Sequence, residues 1–104
     1  MTLHTKLCDM LDIEHPIMLA GMGGVSYAEL CAAMCNAGGY GVLGMAGTTP
    51  DFIESQMKRV RELTDRPFGV DLLAASPESL EASVDVIINN GADSFVAGLG
   101  VPMP

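Results

Sequence analysis

At 104 residues, with 49% hydrophobic and 17% charged, the chain has the composition of a soluble α/β protein with buried strands, not of a disordered or disulfide-rich one. Thirteen acidic residues against five basic give a formal charge of -8, which repels phosphate backbones and anionic lipid surfaces, so neither nucleic acid nor a membrane is an expected partner. No run approaches the roughly 18 apolar residues of a membrane span, the charged start MTLHTKLCDMLDIEH does not suit a signal peptide, and a cytoplasmic location is expected.

In chain order, the segment from His4 to Leu11 carries Leu3, Leu7, Met10 and Leu11 at helical spacing, which predicts a short helix suited to plug the base of a barrel. Pro16 then opens an apolar run, PIMLA, read as a first strand. The turn Gly21-Met22-Gly23-Gly24 leads into Ser26-Tyr27-Ala28-Glu29, which reads as a capping box with Ser26 bonding the Glu29 amide. The helix that follows is predicted to reach Asn36 and to stop at Ala37-Gly38-Gly39. A second strand begins at Gly41. Thr49-Pro50-Asp51 opens a second crossover helix, whose buried stripe is Ile53, Met57, Val60 and Leu63. A third strand runs from Phe68 to Leu73. Ser76-Pro77-Glu78 repeats the cap signal, Leu80, Val84, Ile87 and Ile88 form a third stripe, Asn90-Gly91 closes that helix, and SFVAG from Ser94 is the fourth strand. Cys8, Cys31 and Cys35 lie among helical apolar residues and are expected to be reduced core thiols.

The apolar runs starting at Pro16, Gly41, Phe68 and Ser94 are spaced by 25, 27 and 26 residues, the period of a β/α repeat. A closed (β/α)8 barrel needs eight such units and about 250 residues. The expected fold is therefore α/β, the N-terminal half of a TIM barrel with about four parallel strands, intervening helices and a short N-terminal helix. Residues 1–104 are read as one partial domain lacking the C-terminal half. Edges left open at the first and fourth strands would favour self-association.

In parallel α/β folds ligands gather at the carboxyl ends of the strands, so the loops there carry the candidate chemistry. The glycine-rich AGMGGVS, residues 20–26, permits close backbone approach to a planar or phosphorylated ligand, and the helix start after it favours an anion. The string Gly39-Tyr40-Gly41-Val42-Leu43-Gly44 matches G-x-G-x-x-G, but it lies between a helix end and a strand, the wrong context for dinucleotide binding; turn geometry is the expected reason for its glycines. Asp71 stands alone as a charged residue within an otherwise apolar strand, where it must reach a ligand or a set of donors. His4 and His15 are read as structural or surface residues, and no metal centre is expected.

PIMLAGMGGVS, ELCAAMCNAGGYGVLG, TTPDFIESQMKRVRELTDRPFGVDLL and FVAGLGVP together resemble the N-terminal half of the nitronate monooxygenase family, formerly 2-nitropropane dioxygenases. The resemblance implies an FMN-containing TIM barrel that oxidises alkyl nitronates with dioxygen to a carbonyl compound and nitrite. It places Ala20, Gly21 and Met22 along the isoalloxazine ring, with Asp71 where many members carry a flavin-bonding asparagine. Gly21 stands where many have proline. The family's catalytic histidine and FMN phosphate loops belong to the second half of the barrel. The acid/base is thus expected downstream of residue 104, and this chain alone is expected to be inactive. A flavin- and NAD(P)H-dependent enoyl-thioester reductase of the same barrel family, and a non-catalytic half-barrel assembly module, are the alternatives.

Overall fold

Three parallel strands, with three helices packed on one face and a short first helix on the other, make up the computed structural model, which describes residues 3–73 and 80–98. The element order is α1 (Lys6–Leu11), α2 (Ala28–Asn36), β1 (Gly41–Gly44), α3 (Pro50–Leu63), β2 (Phe68–Leu73), α4 (Leu80–Asn89) and β3 (Ser94–Gly98). The sheet order is β1-β2-β3, with Gly44 paired to Asp71 and Asp71 to Val96. This is the strand–helix alternation of a β/α barrel, with the strands at the predicted positions.

The first apolar run makes one bridge and no strand. Met18 pairs with Tyr40, the Tyr40 amide donating to Ile17 O at 2.8 Å and the Leu19 amide to Tyr40 O at 2.9 Å. The ladder goes no further, and by Gly44, whose amide bonds Ser26 O at 2.9 Å, the chain has turned over the top of the sheet. The expected fourth parallel strand is thereby reduced to a bridge.

Side chains alternate across the strands and give the sheet two faces of different character. Leu43, Phe68, Val70 and Leu72 pack with Cys31, Cys35, Ile53, Met57, Val60 and Ile87 into the main core between sheet and helices. On the opposite face, Tyr40 and Val42 pack with Cys8 and Ile13, so α1 covers the lower part of that face, as a barrel plug would. The apolar stripe expected of α1 is not what it buries: Cys8 is, whereas Leu3 and Met10 are 68% and 73% exposed. Ile88, read as part of the α4 stripe, is also exposed, and Leu63 is only half-buried. The cap signal at Ser76-Pro77-Glu78 lies outside the described residues.

Local chemistry accounts for the helix ends. Thr49 caps α3, its hydroxyl accepting from the Phe52 amide at 3.2 Å, with Pro50 in the first turn. Gly38 and Gly91, at φ of 97° and 77°, follow α2 and α4 in the left-handed conformation. The capping box read at Ser26 and Glu29 does not form. Tyr27 is the N-cap of α2 and makes no side-chain cap. The Ala28 amide is taken instead by Gln56 Oε1 of α3 at 2.9 Å, and Glu29 faces Arg59 at 3.6 Å. Two neighbouring helices thus supply each other's polar partners, an interaction that local spacing does not encode. All three cysteines are buried and unoxidised.

Candidate functional site at the strand ends

Beyond its bridge to Tyr40, the chain from Ala20 to Ser26 folds back over the carboxyl ends of β1 and β2. Ser26, fully buried, organises the turn: its hydroxyl accepts from the Met22 amide at 2.7 Å and donates to Met22 O at 3.1 Å. The Val25 and Ser26 amides also donate to Met22 O, at 3.1 and 2.9 Å, and Gly24 takes a φ of 78° that only glycine adopts without strain. The Gly44 amide bond to Ser26 O then fixes this turn to β1.

Close approach of backbone to strand is what the glycines here provide. A Cβ on Gly44 would lie 2.6 Å from Met22 N and 2.7 Å from Met22 O, so Met22 rests directly on β1. A Cβ on Gly41 would be 2.7 Å from Cys35 Sγ and 2.9 Å from Cys31 Sγ, so β1 lies directly against α2. Gly41 and Gly44 therefore serve packing inside a strand, which corrects their reading as turn glycines. Neither is part of a dinucleotide loop.

Asp71 sits beside this turn, midway across the sheet between Gly44 and Val96. A Cβ on Gly21 would overlap the Asp71 side chain and come within 2.8 Å of its Cγ. Among the described residues Asp71 Oδ1 is buried with no hydrogen-bond partner, and burial alone pushes the carboxyl pKa up from its ordinary value. A buried carboxylate oxygen without a donor is costly, so this atom is suited to meet a ligand donor or to carry a proton.

The structure thus brings Gly21, Met22 and Asp71 together, through Gly44, which sequence reasoning assigned elsewhere. Ala20 is exposed at the entry to the turn. The start of α2 is less suited to an anion than its sequence implied, because Gln56 already holds the Ala28 amide. His4 is an exposed partner of Asp9 at 2.6 Å, and the His15 amide bonds Gly38 O at 2.9 Å at the other end of the strands; neither approaches Asp71. Tyr40 and Ser94, joined at 2.7 Å, line the same face one layer below Asp71, and their interstrand bond had no local signal.

The family model for nitronate monooxygenase matches residues 4–102. The chain is 38% identical over 91 residues to the 5-hydroxy-7a-methyl-1-oxo-octahydro-1H-indene-4-carboxyl-CoA dehydrogenase of Mycobacterium tuberculosis, covering 88% of this chain and 25% of that protein. It is 39% identical over 79 residues to a nitronate monooxygenase of Paraburkholderia phytofirmans, covering 76% of this chain and 22% of the relative. Among solved structures, FabK from Thermotoga maritima superposes with a TM-score of 0.92 at 36% identity, over 97% of this chain and 32% of that one. The chain spans about a quarter of the length of these curated relatives and about a third of the solved structure.

Proposed function

Because the chain belongs to the nitronate monooxygenase family, a family of oxidoreductases, we propose that the polypeptide carrying it is an FMN-dependent enzyme that oxidises alkyl nitronates with dioxygen to a carbonyl compound and nitrite. Residues 1–104 would form the N-terminal, flavin-facing half of its barrel domain. The observation that carries this reading is the buried Asp71 Oδ1, unpartnered among the described residues, beside a backbone turn that glycine allows to lie flat on the sheet. Such a place fits the polar edge of a planar heteroaromatic ring, whose N–H supplies the missing donor. The backbone of Gly21 and Met22 would run along the ring, with Ala20 leading into it, and Asp71 would bond its edge. FMN, when bound, supplies the exchange of electrons between substrate and dioxygen, which no side chain here performs.

The chain's own residues orient and exclude. Ser26 holds the turn in register with β1, and Met22, 38% exposed, offers an apolar wall beside Asp71. The apolar residues Ile17, Met18 and Val96, exposed at the two ends of the sheet, support closure against further strands or self-association. A second reading, an enoyl-thioester reductase using FMN and NAD(P)H, is favoured by the relative whose name contains a carboxyl-CoA substrate. A stand-alone assembly module has no comparable support.

The first measurement is the intact mass of the native polypeptide. A whole barrel of about 250 residues or more would far exceed 10.9 kDa, and a native mass of 10.9 kDa would sink the reading of this chain as part of a longer enzyme and leave an assembled half-barrel. The flavin of that native protein is then titrated anaerobically. Bleaching by an alkyl nitronate, with nitrite formed once air is admitted, is the expected result. Bleaching by NADPH with an inert nitronate would give the function to the thioester reductase reading instead.

A further inference from the structure

The turn glycines of this site differ in what they need. Gly23 and Gly24 face open space where a Cβ would stand, whereas a Cβ on Gly21 would overlap the Asp71 carboxyl and its Cβ. Gly21 lies outside the left-handed region, so its own backbone does not demand glycine. The demand comes from across the site: a chain with proline at this position must hold the turn farther from the strand, whereas here the turn lies directly against Asp71. Asp71 Cβ is fixed by the central strand β2, which is paired in parallel on both sides at this residue. The turn is fixed too, by Ser26 through Met22 and by the Gly44 amide. Neither partner can yield by a change of rotamer.

We propose that Gly21 is a positioning residue for Asp71: the carboxyl stands in the volume that a side chain at position 21 would fill, and the pair together sets which hydrogen-bonding group faces the site. This rests on the reading of the site as flavin-facing. A side chain at 21 lifts the turn off β2, opens the carboxyl to water and removes the constraint that leaves Oδ1 without a protein partner. Overpacking of this kind disrupts a well-packed contact even when the added group is one methyl.

The test is a double-mutant cycle in the full-length, flavin-loaded protein, using Gly21→Ala, Asp71→Gly and the double variant. Asp71→Gly is needed because Asp71→Ala keeps the overlapping Cβ. The readouts are Tm, FMN affinity and the visible spectrum of the bound flavin. With Asp71 in place, Gly21→Ala is expected to lower Tm, weaken FMN about tenfold and shift the flavin spectrum. In the Asp71→Gly background the same change is expected to leave all three nearly as they were. Equal losses in both backgrounds overturn the proposal, since Gly21 would then serve only its own turn. If Asp71→Gly does not fold, the crystal structure of Gly21→Ala decides: a displaced turn or carboxyl supports the pairing, and unmoved positions overturn it. Asp71→Asn separates the two readings. An unchanged flavin spectrum and affinity in both Asp71 variants would remove the flavin contact, while coupling in Tm would still decide whether Gly21 positions Asp71.

Discussion

The hydroxyls of Tyr40 and Ser94 meet at 2.7 Å across Gly69, joining the residue before β1 to the first residue of β3 over the strand between them. The bond exists only because Gly69 has no side chain: a Cβ there would lie 2.5 Å from Ser94 Oγ and 3.2 Å from Tyr40 Cε2. Tyr40 is fully buried, and burial pushes its phenol pKa up. Tyr40→Phe is therefore expected to cost about 1 kcal/mol, the net worth of one hydrogen bond, and Gly69→Ala to cost more, about 1–3 kcal/mol, by overpacking. Urea unfolding of the two variants checks the order; a Gly69→Ala protein as stable as wild type would contradict the geometry.

The start of α2 yields a second prediction. Gln56 Oε1 accepts from the Ala28 amide at 2.9 Å, while Ser26 bonds Met22. Gln56→Leu should destabilise the protein by about 1 kcal/mol, the usual scale of a lost helix cap. Ser26→Ala should instead leave α2 intact, loosen the turn and, on the proposed function, weaken FMN binding by the polypeptide that carries this chain. Circular dichroism together with flavin affinity separates the two. A loss of helix on Ser26→Ala would restore the capping box.

That contrast shows what was legible. Strand positions followed from apolar runs at a constant interval, and α3 from Thr49-Pro50-Asp51, because both signals are local. The spacing of Ser26 and Glu29 is equally local, yet Gln56, remote in sequence, took the helix amide and left Ser26 to build the turn. Pro16 to Ala20 is apolar enough for a strand, but a ladder needs a partner running beside it, and after Leu19 the chain turns over the sheet to meet Gly44 through Ser26. Asp71 was visible as the charge in an apolar strand. Gly44 and the Gly21 contact were not, since a close approach is a property of two segments and glycine in sequence names only one.

Cys31 and Cys35, one turn apart on α2, share a buried pocket against Gly41. Cys35 is lowered from its ordinary value, first by the thiol of Cys31 donating to it and then by the Gly41 amide, against burial and its own bond to Pro67 O at 3.3 Å, while the Cys31 thiol is raised by the same partnership. The first thiolate of the pair is expected to form on Cys35 below the ordinary cysteine value, followed by its ultraviolet absorption. In Cys31→Ala the donor is gone, and that titration should move to higher pH. An unchanged titration would show that Cys31 is not the donor.

Asp71 gives the pH dependence. Burial raises its pKa above the ordinary 3.8, so the folded protein holds this proton more tightly than the unfolded chain. The contribution of Asp71 to stability is therefore fully present below pH 3.8, and is lost as pH rises through that value to the raised one. Asp71→Asn has no proton to lose there and keeps a group of the same shape that both donates and accepts. Its stability relative to wild type is expected to climb as pH rises through this window and to level off above it. Paired urea titrations from about pH 4 to 7 measure the difference. A difference that does not change with pH would mean that Asp71 ionises in the fold as it does in water, with its Oδ1 already satisfied.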